Sequence, residues 1–129
     1  QIESCGNPNV VSPAGAQGLF QVMPYHFEPN ENTLDPETNA QRGLAYLRGS
    51  YTLAGEDIEL TLAGYNGGHG QISRDKSNWP DETQRYASWG AGIYFEAVSG
   101  QNPSKTLSEW LKAGGWRLCH EAEEVLGVQ

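Results

Sequence analysis

Asp35-Pro36-Glu37-Thr38-Asn39-Ala40-Gln41-Arg42-Gly43-Leu44-Ala45-Tyr46-Leu47-Arg48-Gly49-Ser50-Tyr51-Thr52-Leu53 decides the fold class. Asp35 offers the side-chain oxygen of an N-cap, and Pro36 takes the first helical position, where an N–H would have no partner anyway. Ala40, Leu44, Leu47 and Tyr51 then recur at helical spacing, which predicts a helix running to about Leu53. Outward from this stretch the helical signals continue. A second helix starts near Asp57, carries Ile58, Leu62 and Tyr65 on one face, and stops at Gly67, Gly68 and Gly70. A third follows Pro80-Asp81-Glu82, with Tyr86, Trp89, Ile93 and Ala97 in register, and ends by Gly100. Thr106-Leu107-Ser108-Glu109 has the form of a capping box opening a short helix, and Trp116 to Leu126 reads as the last one, with Leu118, Ala122 and Val125 inward. No segment alternates as a strand does. The expectation is an all-α fold, a small helical domain with one long loop, residues 7 to 34, between its first and second helices; such loops are usually functional.

The chain has 129 residues, a length that suits a single domain over 1–129. A net charge of −8, with only eight Lys and Arg, argues against a nucleic-acid or anionic-membrane surface. No apolar run reaches the length of a membrane span, and no leader pattern opens the chain, so it reads as soluble. Nothing demands more than a monomer. Cys5 and Cys119 allow either one long-range disulfide, which implies an oxidising compartment, or two separate buried thiols.

The loop is led by an acid. Glu3-Ser4-Cys5-Gly6-Asn7-Pro8 runs into Ser12-Pro13-Ala14-Gly15-Ala16-Gln17-Gly18-Leu19-Phe20-Gln21-Val22-Met23-Pro24, and between Glu3 and Pro24 there is no second acid and no base. A fold that packs this uncharged loop against Glu3 would desolvate its carboxyl and raise its pKa. That is how a general acid is made at neutral pH.

These residues carry a resemblance. The pattern E-S, N-P, then S-P-x-G-A-x-G-L-x-Q-x-M-P resembles the opening of the catalytic domain of the soluble lytic transglycosylases, which have a goose-type-lysozyme-like fold. Leu34-Asp35-Pro36-Glu37-Thr38-Asn39 leading to Gly43-Leu44-Ala45-Tyr46-Leu47 is similar to the family's second helix, Leu62-Ala63-Gly64-Tyr65-Asn66-Gly67-Gly68 to its A-x-Y-N-x-G signature, and Glu82-Thr83-Gln84-Arg85-Tyr86 to its E-T-x-x-Y segment. The blocks occur in the family's order from residue 1 to about 98, which is more specific than any single motif. One departure stands out: the family's acid ends a helix of several turns, whereas only Gln1 and Ile2 precede Glu3. Most of that N-terminal helix is missing from the sequence, and either the chain is a fragment or processed form, or Trp116 to Leu126 takes the vacant place.

The resemblance implies peptidoglycan glycan strands as substrate, cleaved at the β-1,4 bond between N-acetylmuramic acid and N-acetylglucosamine. It implies Glu3 as the catalytic acid and then base, with 1,6-anhydromuramic products. It also implies sugar contacts from Ser12, Gln21, Met23, Tyr65, Asn66 and Tyr86, no cofactor, and a periplasmic, wall-associated or secreted location. Phe20 and Trp79 are further candidate platforms for sugar rings. Plainer roles stand beside these: a turn for Ser12, packing for Met23 and Tyr65, partial burial for Tyr86. A lysozyme- or chitinase-type hydrolase would need a second carboxylate, for which Glu31, Asp35 and Glu37 are nearest in sequence. A glycan-binding module without catalysis is the reading from another class. His26, His69 and His120 match no metal-ligand spacing, and the acidic loop from Glu28 to Glu37 lacks the pattern of a calcium loop.

Overall fold

Caps and glycine stops set the helix boundaries. The computed structural model describes residues 2–128. In it α1 spans Pro36–Leu53, α2 Ile58–Gly67, α3 Asp81–Val98, α4 Lys105–Trp110 and α5 Trp116–Leu126. Asp35 opens α1 as expected, its carboxylate accepting the Thr38 N–H at 2.9 Å. Asp57 caps α2 by accepting the Leu60 N–H at 2.9 Å, and α2 ends at Gly68, whose φ of 95° favours a residue without Cβ. Asp81 and Glu82 sit in the first turn of α3, where negative charge complements the helix dipole. Among the described residues the only bridge pairings are isolated ones, Val11 with Gln17 and Gln17 with Val22, so the fold is all-α.

Residues 2–6 form a turn and not a helix, so the loop of residues 7–34 leads into α1 instead of joining two helices, and two further details differ from the sequence reading. The cap of α4 is Ser104, which accepts the Leu107 N–H at 3.1 Å, and not Thr106. Both the hydroxyl and the N–H of Thr106 are committed to Glu96 of α3, so the helix starts a half-turn earlier. The second detail is which faces are covered. Leu44 (49% exposed) and Val125 are about half open to solvent, Tyr51 about a third, and Ala97 is exposed as well. The buried line of α1 is instead Asn39, Gly43 and Ser50. Small and hydrogen-bonding residues win there because neighbouring backbone comes too close for a large side chain: a Cβ on Gly43 would lie 2.5 Å from Cβ of Phe20.

Contacts divide the chain into two compact units, residues up to Ala45 together with those from Gly114 onward, and Tyr46–Ala113. In the first, Cys5 and Cys119 form a disulfide, and Ala122 is the fully covered residue of α5. In the second, Ala63, Trp79 and Ala87 form the core, with Leu60 and Leu62 packed on it. Trp79 is 3% exposed and its indole N–H donates to the Gln71 carbonyl at 2.9 Å. It is a core residue, not a sugar platform. Ser50 donates to the Thr61 carbonyl at 2.6 Å, which ties the end of α1 to the start of α2.

Candidate active site

In the first unit, Glu3 lies in a turn and is half-buried. Its neighbours hold it to the loop. Ser4 is buried and its hydroxyl donates to the Leu19 carbonyl at 2.9 Å, while its carbonyl accepts the Asn7 N–H at 3.0 Å. Cys5, at a left-handed φ of 49°, is bonded to Cys119 of α5. So the acid is flanked on its C-terminal side by a hydrogen bond into the Gly-rich loop and by a covalent tie to the last helix.

The loop carries its own scaffold. Gln17 pairs with Val22 in both directions, at 2.9 and 3.0 Å, and Asn39 braces the result from α1. Asn39 is fully buried; its amide donates to the carbonyls of Gln17 (2.7 Å) and Thr33 (3.0 Å), and its oxygen accepts the Phe20 N–H at 2.8 Å. Gly18 passes close enough that a Cβ there would lie 2.7 Å from the Asn39 nitrogen. The sequence reading quoted Asn39 as part of a block but did not single it out; the signal available was a polar residue one turn inside a capped helix, on the face towards the loop.

The predicted loop residues have mixed employment. Ser12 serves a turn, its hydroxyl oxygen accepting the Ala16 N–H at 3.0 Å, which leaves its proton for another acceptor. Gln21, at a φ of 49°, donates through Nε2 to the carbonyls of Val10 and Gly18, both at 3.0 Å. Met23 is half-buried and leads into a short 3-10 turn, Pro24–His26. Phe20 is half-buried and covers Gly43.

In the second unit, Asn66 at the end of α2 is oriented by α3. Its oxygen accepts the Thr83 hydroxyl at 2.9 Å, and its nitrogen makes a long contact of 3.5 Å with Glu82. Tyr86 lies one turn beyond Glu82 on the same helix and is half-buried. Tyr65 packs against Tyr46 at 5.6 Å between ring centroids, and Tyr46 in turn stacks flat on His69 at 4.2 Å. Thr83, Tyr46 and His69 were absent from the predicted set. The Thr of the E-T-x-x-Y segment was the legible clue to the first; nothing in spacing pointed to the stacked pair. Among the described residues no group of three His, Cys, Asp and Glu side chains could hold a metal ion.

The acids proposed as second carboxylates have structural work. Hydrogen bonds from Arg42 hold Glu31 below the usual carboxylate range. The Thr38 N–H does the same for Asp35, and Glu37 is exposed in the first turn of α1. Asp75 is lowered by the Ser77 N–H and Glu96 by the Ser104 hydroxyl. A carboxylate with a depressed folded pKa stabilises fully above its unfolded value, 4.5 for Glu31 and Glu96, and loses that contribution as pH falls through the folded value. The melting temperature is therefore expected to hold between about pH 6 and about pH 5 and to fall towards about pH 3, with Glu31→Gln and Glu96→Gln each starting lower and showing a shallower fall. Parallel curves for native and variant chains in thermal melts would contradict this.

Residues 1–87 match the family described as "Transglycosylase SLT domain". The chain is 38% identical over 88 residues to the "Transglycosylase" of Enterobacteria phage PRD1, covering 67% of this chain and 31% of that protein. It is 37% identical over 83 residues to the "Soluble lytic murein transglycosylase" of Escherichia coli (strain K12), covering 54% of this chain and 13% of that one. With the "Endo-type membrane-bound lytic murein transglycosylase A" of Klebsiella pneumoniae (strain ATCC 700721 / MGH 78578) it is 31% identical over 138 aligned positions, 91% of this chain and 66% of that one. The chain thus spans a small fraction of the Escherichia coli protein and about two thirds of the Klebsiella one. No solved structure matches it significantly. No helix among the described residues is long and apolar enough to cross a membrane. Matching over more than half its length, the chain belongs to the transglycosylase SLT domain family.

Proposed function

We propose that this chain is a single catalytic domain that cleaves peptidoglycan as a lytic transglycosylase, at the β-1,4 bond between N-acetylmuramic acid and N-acetylglucosamine. The observation that carries the reading is the immobilisation of Glu3. Ser4 ties its segment to Leu19, Cys5 ties it to Cys119, and Asn39 braces the loop that carries Leu19.

In this reading Glu3 donates its proton to the glycosidic oxygen as the bond to the muramic C1 breaks. The acetamido oxygen of the same sugar stabilises the cationic carbon. The Glu3 carboxylate then takes the proton of the C6 hydroxyl, whose oxygen bonds to C1 and closes the 1,6-anhydro ring. Bonds and protons balance without water: one C–O bond is broken, one is made, and Glu3 ends as it began. Ser12, with its hydroxyl proton still available, would donate to the acetamido group. Gln21 and Asn66 offer amide groups fixed by their own hydrogen bonds, Met23 an apolar wall, and Tyr65 and Tyr86 aromatic surface for sugar contact. Restraint of these side chains before substrate arrives lowers the entropy cost of assembling the transition state. The disulfide fits a location outside the reducing cytosol, at the wall, in the periplasm or secreted.

The hydrolase alternative is less favoured, because Glu31 and Asp35 are held in an ion pair and a helix cap. Incubation with purified peptidoglycan separates these readings from a binding module. Release of soluble glycan fragments is expected; sedimentation of the chain with intact peptidoglycan and no release would overturn the catalytic reading.

A further inference from the structure

The end of α2 meets α3 through a buried hydroxyl. Thr83 is 2% exposed and belongs to the covered line of α3 with Ala87 and Ala91. Gly67 permits the close approach, since a Cβ there would lie 2.6 Å from Thr83 Oγ1. Asn66, the residue before it, accepts the hydroxyl proton on its side-chain oxygen at 2.9 Å. A buried hydroxyl calls for a partner, and the Asn66 oxygen is that partner.

The other half of the same amide faces a carboxylate, with Asn66 Nδ2 3.5 Å from Glu82 Oε1. A carboxylate only accepts hydrogen bonds, so Glu82 favours the nitrogen on its side, while the Thr83 proton favours the oxygen on the other. Turning the amide over would set its oxygen against the carboxylate and its N–H groups against the Thr83 proton. Both neighbours therefore select one orientation. The Glu82 contact is at the limit of hydrogen-bond length and Nδ2 carries two N–H groups, so the amide keeps donor capacity once both neighbours are counted.

Resting on the transglycosylase reading, we propose that Thr83 is a positioning residue, whose hydroxyl holds the Asn66 amide with its oxygen inward and its nitrogen free to donate to a sugar oxygen of the glycan. Thr83 touches no sugar itself. Without its proton the Asn66 oxygen faces an apolar group and gains by turning outward to water, where it would meet the sugar oxygen as a second acceptor. The glycan then binds only the fraction of molecules whose amide is correctly turned, and its apparent affinity falls by that fraction.

The test measures kcat/KM for release of soluble fragments from peptidoglycan. Thr83→Val, close in shape but without the proton, is expected to fall about 5-fold, the scale of one neutral hydrogen bond, and Thr83→Ser, which keeps the hydroxyl, to stay within about 2-fold of the native chain. Thr83→Ala carries the same expectation as Thr83→Val if the latter does not fold. In an Asn66→Ala background Thr83→Val should cost nothing further, because the group it positions is gone. A role confined to packing would lower the value equally with and without Asn66; that result, a Thr83→Val chain as active as the native one, or a Thr83→Ser chain as poor as Thr83→Val overturns the proposal. A second readout is independent of catalysis: titration with the β-1,4-linked N-acetylglucosamine trimer, followed by the Asn66 side-chain N–H resonances assigned through Asn66→Ala. A saturable shift whose midpoint rises about 5-fold in Thr83→Val and is restored in Thr83→Ser supports the proposal, and no shift or an unchanged midpoint overturns it. If the native chain releases no fragments, the transglycosylase reading fails, and the titration still decides what Thr83 does for Asn66.

Discussion

Glu3→Gln is expected to lower peptidoglycan cleavage by about 10²–10⁴-fold, the span usual for loss of a positioned acid–base group. The change keeps side-chain shape and hydrogen-bonding capacity while removing the transferable proton. Because Glu3 is half-buried and the scaffold around it is built by Ser4, Cys5 and Asn39, the melting temperature should move little and binding to insoluble peptidoglycan should persist. Kinetics of soluble fragment release, alongside sedimentation with peptidoglycan, check both halves. Turnover equal to that of the native chain would remove Glu3 from the mechanism; loss of binding together with turnover would make it a recognition residue.

Opening the Cys5 to Cys119 bridge should have the largest effect on stability. The bridged residues are 114 apart in sequence, and in the chain-entropy account a loop of that size restrains the unfolded state by about 4–5 kcal/mol. For a chain this short that corresponds to a fall in melting temperature on the order of 15 °C. A Cys5→Ser, Cys119→Ser double variant, free of mispairing, provides the measurement by calorimetry. Activity should fall with it even at temperatures where the variant remains folded, because Cys5 is two residues from Glu3 and α5 would no longer hold that segment. Full activity in a folded variant would separate the bridge from the site and leave it as a stabiliser only.

Local rules predicted the helices well because their ends are local chemistry. Asp35 and Asp57 cap where the sequence places them, and the glycines after Asn66 stop α2. The α4 cap was displaced by a long-range partner, Glu96, which no local pattern announces. Burial was less legible. A stripe of Ala40, Leu44, Leu47 and Tyr51 reads as an inner face, yet α1 buries Asn39, Gly43 and Ser50. Hydrophobicity reports what can be buried, whereas close approach of loop and helix backbones selects small residues and groups that can satisfy carbonyls. The same reason hid Asn39, two of whose three side-chain hydrogen bonds go to Gln17 and Phe20 in the distant loop. Trp79 misled in the opposite sense: composition marks a tryptophan as a ring for sugars, but only tertiary contact reveals that Ala63 and Ala87 enclose it.

The family motifs were legible in sequence order, from Glu3 through Met23 and again at Tyr65 to Asn66 and Glu82 to Tyr86, and the proposed site rests on them. What the motifs left out was employment. Gln21 and Ser12 hold the loop with part of their polar groups.

The central claim is that one carboxyl group acts as acid and then as base on the same substrate. Mass spectrometry of the soluble fragments released from purified peptidoglycan tests it most directly. The account predicts fragments lighter by one water and ending in 1,6-anhydromuramic acid, with none appearing in Glu3→Gln. Reducing-end fragments of full hydrated mass would contradict it, since water would then have taken the place of the C6 hydroxyl.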